Sequence, residues 1–391
     1  MRRVDADHAA TTRPAPEVLA AMRPFLEEGF GNASSVHARG EAARDAVEAA
    51  RLEVARLIAA QPEEIVFTAS GSEANNLALK GALAALASPE RRRLVVSAIE
   101  HPSVLETARF LETRGIAVTI LPVQPNGVVD PEAVREALGP DVALVSILAV
   151  NNETGVIQPL EQIGPLVREA GALFHVDAVQ AAGRIPVAVD ALQADLLTLA
   201  SHKLHGPLGA AALFVRRRVR LAPLVHGGHQ ERGRRAGTEN LAALVGFGVA
   251  CARAAAGLAE STPARVDALG ERLLAELLRR VPETRLNGDL NRRVGGIVNL
   301  CFSGVDGEAV LHELDRAGVT VSTGSACSSG QQGPSHVLSA MGLSSEDAHA
   351  SVRFSIGADT SADDIDYIAG VAPPVVERLR SLAGPAMERS A

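Results

Sequence analysis

The sequence predicts an α/β fold, with a large domain built on a mostly parallel central sheet and a smaller α+β domain beside it. Two observations carry this reading. Through the first two-thirds of the chain, short apolar runs alternate with longer helical patterns. After about residue 258 the alternation stops, and a long amphipathic segment gives way to scattered strand patterns. A third observation points to a site. Nearly every chemically distinctive residue falls just after an apolar run, and open α/β sheets bind their ligands at the carboxyl ends of strands.

In chain order, the predicted strands of the large domain are 64–68, 93–97, 117–121, 143–147, 173–177, 196–200 and 211–215. Each is a compact apolar run of strand length. Helical patterns fill most gaps, as at 41–60 and 160–170. The stretch 241–259 is the most apolar of the chain. It is rich in Gly and Ala and carries Arg253, which reads as a packed helix rather than a membrane span. Beyond it, 265–280 reads as an amphipathic helix, and 296–302, 319–322 and 351–356 read as strands.

Composition excludes several classes. Of 391 residues, 47% are hydrophobic, so a folded core is expected. The net charge of −8 argues against direct binding of nucleic acid. Arg216-Arg217-Arg218 reads as a solvated strand end. The first residues have no apolar stretch of signal-peptide type. Three cysteines, none at metal-ligand spacing, do not suggest a disulfide framework. A cytoplasmic protein is expected.

The 38 basic residues include only two lysines, Lys80 and Lys203. Lys203 lies in Ser201-His202-Lys203-Leu204-His205-Gly206-Pro207, directly after the run 196–200. An amine can lose its proton and form an imine with an aldehyde; a guanidinium cannot. Asp177 ends the run 173–177, 26 residues before Lys203. Such a pair suits pyridoxal phosphate. The lysine holds the aldehyde, and the carboxylate keeps the pyridine nitrogen protonated. Taken alone, Asp177 reads equally well as a helix N-cap.

Ser70-Gly71-Ser72-Glu73 turns from a strand into a helix, where free N–H groups and the Ser72 hydroxyl would cradle a phosphate. Ser70 and Glu73 also have capping-box spacing. His101, after the run 93–97, can stack on a cofactor ring or move protons. Asn151 and Asn152 follow another strand and read either as a turn or as a cofactor contact. Arg353 sits on an alternating strand, either as a surface residue or as a carboxylate clamp. The stretch 226–240, rich in Gly, His and Arg, is either a surface loop or an arm reaching an anion. In Thr323-Gly324-Ser325-Ala326-Cys327-Ser328-Ser329-Gly330, almost nothing can fill a core, so Cys327 is the candidate nucleophile. Cys251 and Cys301 lie in apolar segments and read as core.

Taken in order, these segments resemble the cysteine desulfurases, pyridoxal-phosphate enzymes of the aspartate-aminotransferase fold (fold type I). The likeness runs from Asp7-His8-Ala9-Ala10-Thr11-Thr12 to Arg353-Phe354-Ser355. Ser325-Ala326-Cys327-Ser328 resembles the group with the longer cysteine loop, typified by the nitrogen-fixation and iron–sulfur-cluster enzymes. The resemblance implies a large domain over 12–258 and a small one formed by 1–11 and 259–391. It makes Lys203 the cofactor lysine, Asp177 the pyridine partner and His101 the stacking residue. Gln180 and Asn152 would meet the phenolic-oxygen side. Ser72 and His202 would hold the phosphate, Gly71 and Ser201 would also line the cofactor, and Thr238 would reach the phosphate of a second subunit in a homodimer. Asn32 and Arg353 would hold the carboxylate of L-cysteine, and Cys327 would accept the sulfur as a persulfide. An acceptor protein, a U-type scaffold for cluster assembly or a thiolation enzyme, would then take it. The chain departs from the family at Ala200, where a serine is usual, and at Ala33, where a proline is common. Two other readings are a selenocysteine lyase and an inactive homologue serving as a binding subunit.

Overall fold

The computed structural model describes residues 2–86, 90–323 and 333–383. Twelve strands occur among them: β1 (Val4–Asp5), β2 (Ile65–Thr68), β3 (Arg93–Ser97), β4 (Ala117–Leu121), β5 (Val142–Leu148), β6 (Leu173–Asp177), β7 (Leu196–Ala200), β8 (Ala211–Val215), β9 (Thr284–Leu286), β10 (Ile297–Phe302), β11 (Val319–Thr320) and β12 (Ser351–Ser355). The central sheet has seven strands in the order β2-β8-β7-β6-β5-β3-β4. Neighbours from β7 through β4 are parallel, and β8 runs antiparallel to both β2 and β7. Every residue of β2, β5, β7 and β8 is buried. Their apolar runs are therefore continuous rather than alternating, as expected of strands covered on both faces.

A second, antiparallel sheet has the order β12-β10-β9, and β1 pairs with β11 in a short parallel ribbon. The expected strand 319–322 is shorter than its pattern. Beyond Thr320 the chain keeps only an isolated bridge, Ser322 to Arg353. The helix expected from residue 265 begins at Thr262, because Pro263 fits the first turn, where no N–H is needed.

The Leu241–Ala259 helix is long and apolar enough to cross a membrane by composition. It packs instead against the Pro16–Glu27 and Ala38–Leu57 helices. The approach to the second is close: a Cβ on Gly248 would lie 2.7 Å from Ala50 Cα. Glycine there lets the two backbones meet. Cys251, on this helix, and Cys301, on β10, are both buried and free, as their apolar settings implied. One core cluster unites this helix pair with the central sheet, and another fills the space around β10, β12 and the Thr262–Arg280 helix.

Candidate active site

The carboxyl ends of β6 and β7 bring Asp177 and Lys203 to the same edge of the central sheet. Asp177 is the last residue of β6 and is buried. Asn75 Nδ2 donates to its Oδ2 at 2.7 Å, and the Val179 N–H donates to its Oδ1 at 3.0 Å. The cap-like turn and the oriented carboxylate are thus one structure. Lys203 closes a single helical turn directly after β7. Its Nζ donates to the carbonyls of Ala9 and Ala10 at 2.5 and 2.6 Å. Gln180 Nε2 donates to the same Ala9 carbonyl at 2.8 Å. The Ala9-Ala10 segment therefore meets both residues.

His101 caps the Pro102–Glu112 helix, its Nδ1 accepting from the Ser103 N–H at 3.1 Å. That contact leaves the proton of the neutral ring on Nε2. Burial holds the imidazole below its ordinary pKa, against the pull of Asp177, and Lys203 and His336 lower it further. Ser103 Oγ accepts from Asn75 Nδ2 at 2.9 Å, so His101 and Asp177 share one network. His175, two residues before Asp177, is held neutral at about 4 by burial. Burial, with Lys203 adding to it, also lowers His202 to about 4, and its Nδ1 lies 3.1 Å from Thr11 Oγ1.

Gly71 opens the helix after β2, and a Cβ there would lie 3.3 Å from Val179 Cγ2 and 3.5 Å from Ala200 Cβ. The small residue lets the helix start sit against the ends of β6 and β7. Ser70 Oγ accepts from the Glu73 N–H, while Glu73 reaches back to the Ala69 N–H rather than to that of Ser70, a shifted capping box. Ser72 is exposed. Ser201 is fully buried, its Oγ 2.1 Å from where a Cβ on Gly206 would stand.

The two adjacent asparagines divide their work. Asn151 Oδ1 accepts from the N–H groups of Glu153 and Thr154 and builds the turn. Asn152 is only partly buried, and its carbonyl accepts from Arg353 Nη1 at 2.9 Å. Arg353 is 2% exposed, so the surface reading of its strand is corrected: β12 pairs with β10, and the bridge to Ser322 covers it on the other side. Its Nη2 pairs with Asp7 Oδ1 at 2.7 Å. Asn32 is exposed, and its Oδ1 accepts from the Ser34 N–H.

Several functional neighbours carried no clear sequence signal. Asn75 and Ser103 orient Asp177 and His101. Glu231 forms a buried bidentate pair with Arg51 and accepts from the Phe67 N–H. Together with the Arg235–Glu73 pair at 2.9 Å, it ties the stretch 226–240 to β2 and the helix start, leaving Thr238 exposed. A pair of asparagines early in a helix, at 75 and 76, was the one visible hint.

Cys327 lies outside the described residues. The residues flanking its segment are anchored beside the site. Ser322 exchanges backbone hydrogen bonds with Arg353. Ser335 Oγ donates to Glu153 Oε2 at 2.6 Å, and His336 Nε2 lies 2.9 Å from the Glu100 carbonyl.

Residues 5–368 match the aminotransferase class-V family. A cysteine desulfurase of Cereibacter sphaeroides is 46% identical over 385 residues, covering 98% of each chain. Cysteine desulfurase IscS of Dictyoglomus turgidum is 43% identical over 382 residues, 98% of this chain and 96% of that one. The chain belongs to the cysteine desulfurases. Among solved structures, a NifS-like protein superposes on this desulfurase-family chain with a TM-score of 0.91 at 33% identity, over 97% of this chain and all of the other. A structure described as SspA in complex with cysteine matches with a TM-score of 0.81 at 35% identity, over 92% of this chain and all of that one.

The cofactor of this desulfurase family is pyridoxal 5′-phosphate. The residues fit it. Its aldehyde needs an amine, its pyridine nitrogen a carboxylate, and its phenolic oxygen a polar partner. Buried Gln180 Oε1 and Asn75 Oδ1 have no partner within the protein, which buried polar atoms rarely lack.

Proposed function

We propose that this chain converts L-cysteine to L-alanine with Lys203, Asp177 and His101 as its cofactor machinery, and passes the sulfur to Cys327 as a persulfide. One observation carries the proposal. The segment bearing Cys327 is flanked by Ser322 and Ser335, which are held against Arg353 and Glu153. Cys327 is four residues beyond Thr323, a reach of up to about 14 Å in extended chain. A desulfurase needs its accepting thiol within such reach of the bound substrate.

Pyridoxal phosphate, when bound, supplies an electron sink conjugated to the substrate Cα. Lys203 holds it and then moves the Cα proton. Asp177, fixed by Asn75, keeps the pyridine nitrogen protonated. His101 covers the ring face. Gln180 and Asn152 meet the phenolic-oxygen side, Ser72 and His202 hold the phosphate, and Gly71 and Ser201 also line the cofactor. Arg353 and Asn32 hold the substrate carboxylate. The Cys327 thiolate takes the sulfur. An S–S bond forms as the C–S bond breaks, and the carbon side keeps the electron pair and gains a proton to become alanine.

Around this centre we place a large domain over 12–258 and a small one over 1–11 and 259–391, supported by the distinct core clusters around the central sheet and around β10 and β12. A homodimer is supported by the exposed apolar side chains of Leu26, Phe30, Val36, Leu208, Leu224 and Val225. In it, Thr238 reaches the partner's phosphate. A sulfur-acceptor protein, a cluster scaffold or a thiolation enzyme, unloads Cys327 in the cytoplasm.

The test is mass spectrometry after L-cysteine without reductant. One extra sulfur should sit on the peptide containing Cys327, and Cys327→Ser should retain cofactor while forming almost no alanine. Sulfur on Cys251 or Cys301, or full alanine output by the serine variant, would overturn the assignment.

A further inference from the structure

Three side chains outside the proposed machinery converge beside the Lys203 turn. They come from distant parts of the chain: His8 just after β1, His205 two residues past Lys203, and Asp359 after β12. One nitrogen or oxygen from each lies within 4.8 Å of the others. His8 Nε2 is 3.5 Å from Asp359 Oδ1 and 4.0 Å from Asp5 Oδ2. The His8 and His205 rings meet edge to face, 5.7 Å between centroids at 68°.

The surroundings set the donor atoms. His205 Nδ1 is 3.1 Å from the Arg13 carbonyl, an acceptor only, so this nitrogen carries the proton and Nε2 keeps its lone pair. A backbone carbonyl on the far nitrogen is the usual way a ligating histidine is oriented. His205 itself is fixed: its N–H donates to Thr12 Oγ1 at 2.8 Å, and its backbone has φ 58°, uncommon for a residue other than glycine. His8 has a side chain only 3% exposed, and its Nδ1 has no hydrogen-bond partner. Gly357 makes room for that ring, since a Cβ there would lie 2.1 Å from His8 Nδ1. The loop bearing Asp359 is held by Arg265, which donates to the carbonyls of Ala358 and Thr360. A cavity of about 220 Å³ opens beside the group, lined by His8, Thr12, Lys203, His205 and Gly357 but not by Asp177 or His101.

We propose that His8, His205 and Asp359 form a binding site for one divalent transition-metal cation of the Zn²⁺ class, with a remaining coordination position toward the cavity. Two imidazoles and one carboxylate suit such ions, whereas Mg²⁺ and Ca²⁺ favour oxygen alone. Tetrahedral zinc at its usual bond lengths spaces its ligand atoms about 3.4 Å apart. His8 Nε2 and Asp359 Oδ1, 3.5 Å apart, already stand at about that spacing, and Asp359 is the most exposed of the three. The bound ion ties the segment carrying Ala9 and Ala10 to the Lys203 turn and to the loop after β12, so it stabilises the fold that presents Lys203.

The test uses the full-length, cofactor-loaded protein carrying Cys327→Ser, so that zinc on the loop thiol does not contribute. After chelator treatment, Zn²⁺ is titrated calorimetrically. One equivalent per chain is expected, with affinity reduced at least tenfold in Asp359→Asn and lost in His8→Asn and His205→Gln. Co²⁺ in place of Zn²⁺ should give the visible bands of a four-coordinate nitrogen–oxygen site. The thermal midpoint should rise with Zn²⁺ in the Cys327→Ser protein and not in its Asp359→Asn derivative. If the histidine variants lose cofactor or fold, Asp359→Asn decides alone. No zinc uptake, or uptake unchanged in Asp359→Asn, overturns the site and leaves His8 as a partner of the two carboxylates only. Cofactor content and persulfide formation in the otherwise native chain report on the desulfurase reading independently.

Discussion

Glu153→Gln isolates one buried carboxyl that joins the substrate side of the site to the segment bearing Cys327. Glu153 is 3% exposed and accepts from Ser335 Oγ. Burial pushes its pKa to about 7, against the opposing pull of the Ser335 hydrogen bond and of Arg353. In the unfolded chain it titrates near its ordinary 4.5. Below that pH both states hold the proton, and the group contributes no pH dependence. Between 4.5 and about 7 the unfolded chain releases a proton that the folded chain keeps, so stability falls as pH rises; above about 7 the loss is complete. The shift of 7 − 4.5 = 2.5, at 1.36 kcal/mol per unit, sets the full loss at about 3 kcal/mol. Glutamine keeps an oxygen for Ser335 and cannot ionise. The variant should therefore gain stability over the parent by roughly 2–3 kcal/mol between about pH 5 and pH 8. Urea unfolding of both proteins at matched cofactor loading measures the difference. Glu100, raised to about 8 by its own burial, is common to both and cancels. A difference that does not change with pH would refute the reasoning.

Lys203→Ala should abolish cofactor attachment: borohydride should fix cofactor to the peptide containing Lys203 in the parent and to no peptide in the variant, and labelling at Lys80 would overturn the assignment. Asp177→Asn should fold and bind cofactor yet slow exchange of the L-alanine Cα hydrogen in D₂O by about 10²-fold or more; unchanged exchange by NMR would remove Asp177 from its role. Arg353→Lys, which cannot bridge Asn152 and Asp7 with one planar fork, should raise KM for L-cysteine by at least about tenfold with a smaller change in kcat. An unchanged KM would exclude Arg353 as the carboxylate clamp.

The strands of the central sheet were legible because burial on both faces writes itself as uninterrupted apolar runs, as in β5. Cys327 stood out for the opposite reason, since nothing around it can fill a core. Arg353 was ambiguous because an alternating strand looks the same whether its polar face meets water or, as here, an acid and a carbonyl from other segments. Asn75 could not be paired with Asp177 from the sequence: 102 positions separate them, and only the helix start packed on the ends of β6 and β7 brings them to 2.7 Å. The same holds for Arg51 and Glu231, 180 positions apart. Residue type and local setting reveal which groups can do chemistry. The groups that aim them are chosen by tertiary packing and leave weaker traces.

The anchoring of the Cys327 segment follows from that packing. Ser322 is bound to the backbone of Arg353, and Arg353 binds the carbonyl of Asn152, whose neighbour Glu153 holds Ser335. His336 reaches the carbonyl of Glu100, next to His101. Ser322 is thus one hydrogen bond from Arg353, and Ser335 and His336 each bond a residue next to an assigned one, Asn152 and His101. In the proposed reaction the thiol meets the substrate sulfur, which calls for a tether with fixed ends. Buried hydrogen bonds at Ser322 and Ser335 fix those ends, because breaking either leaves a polar group without water.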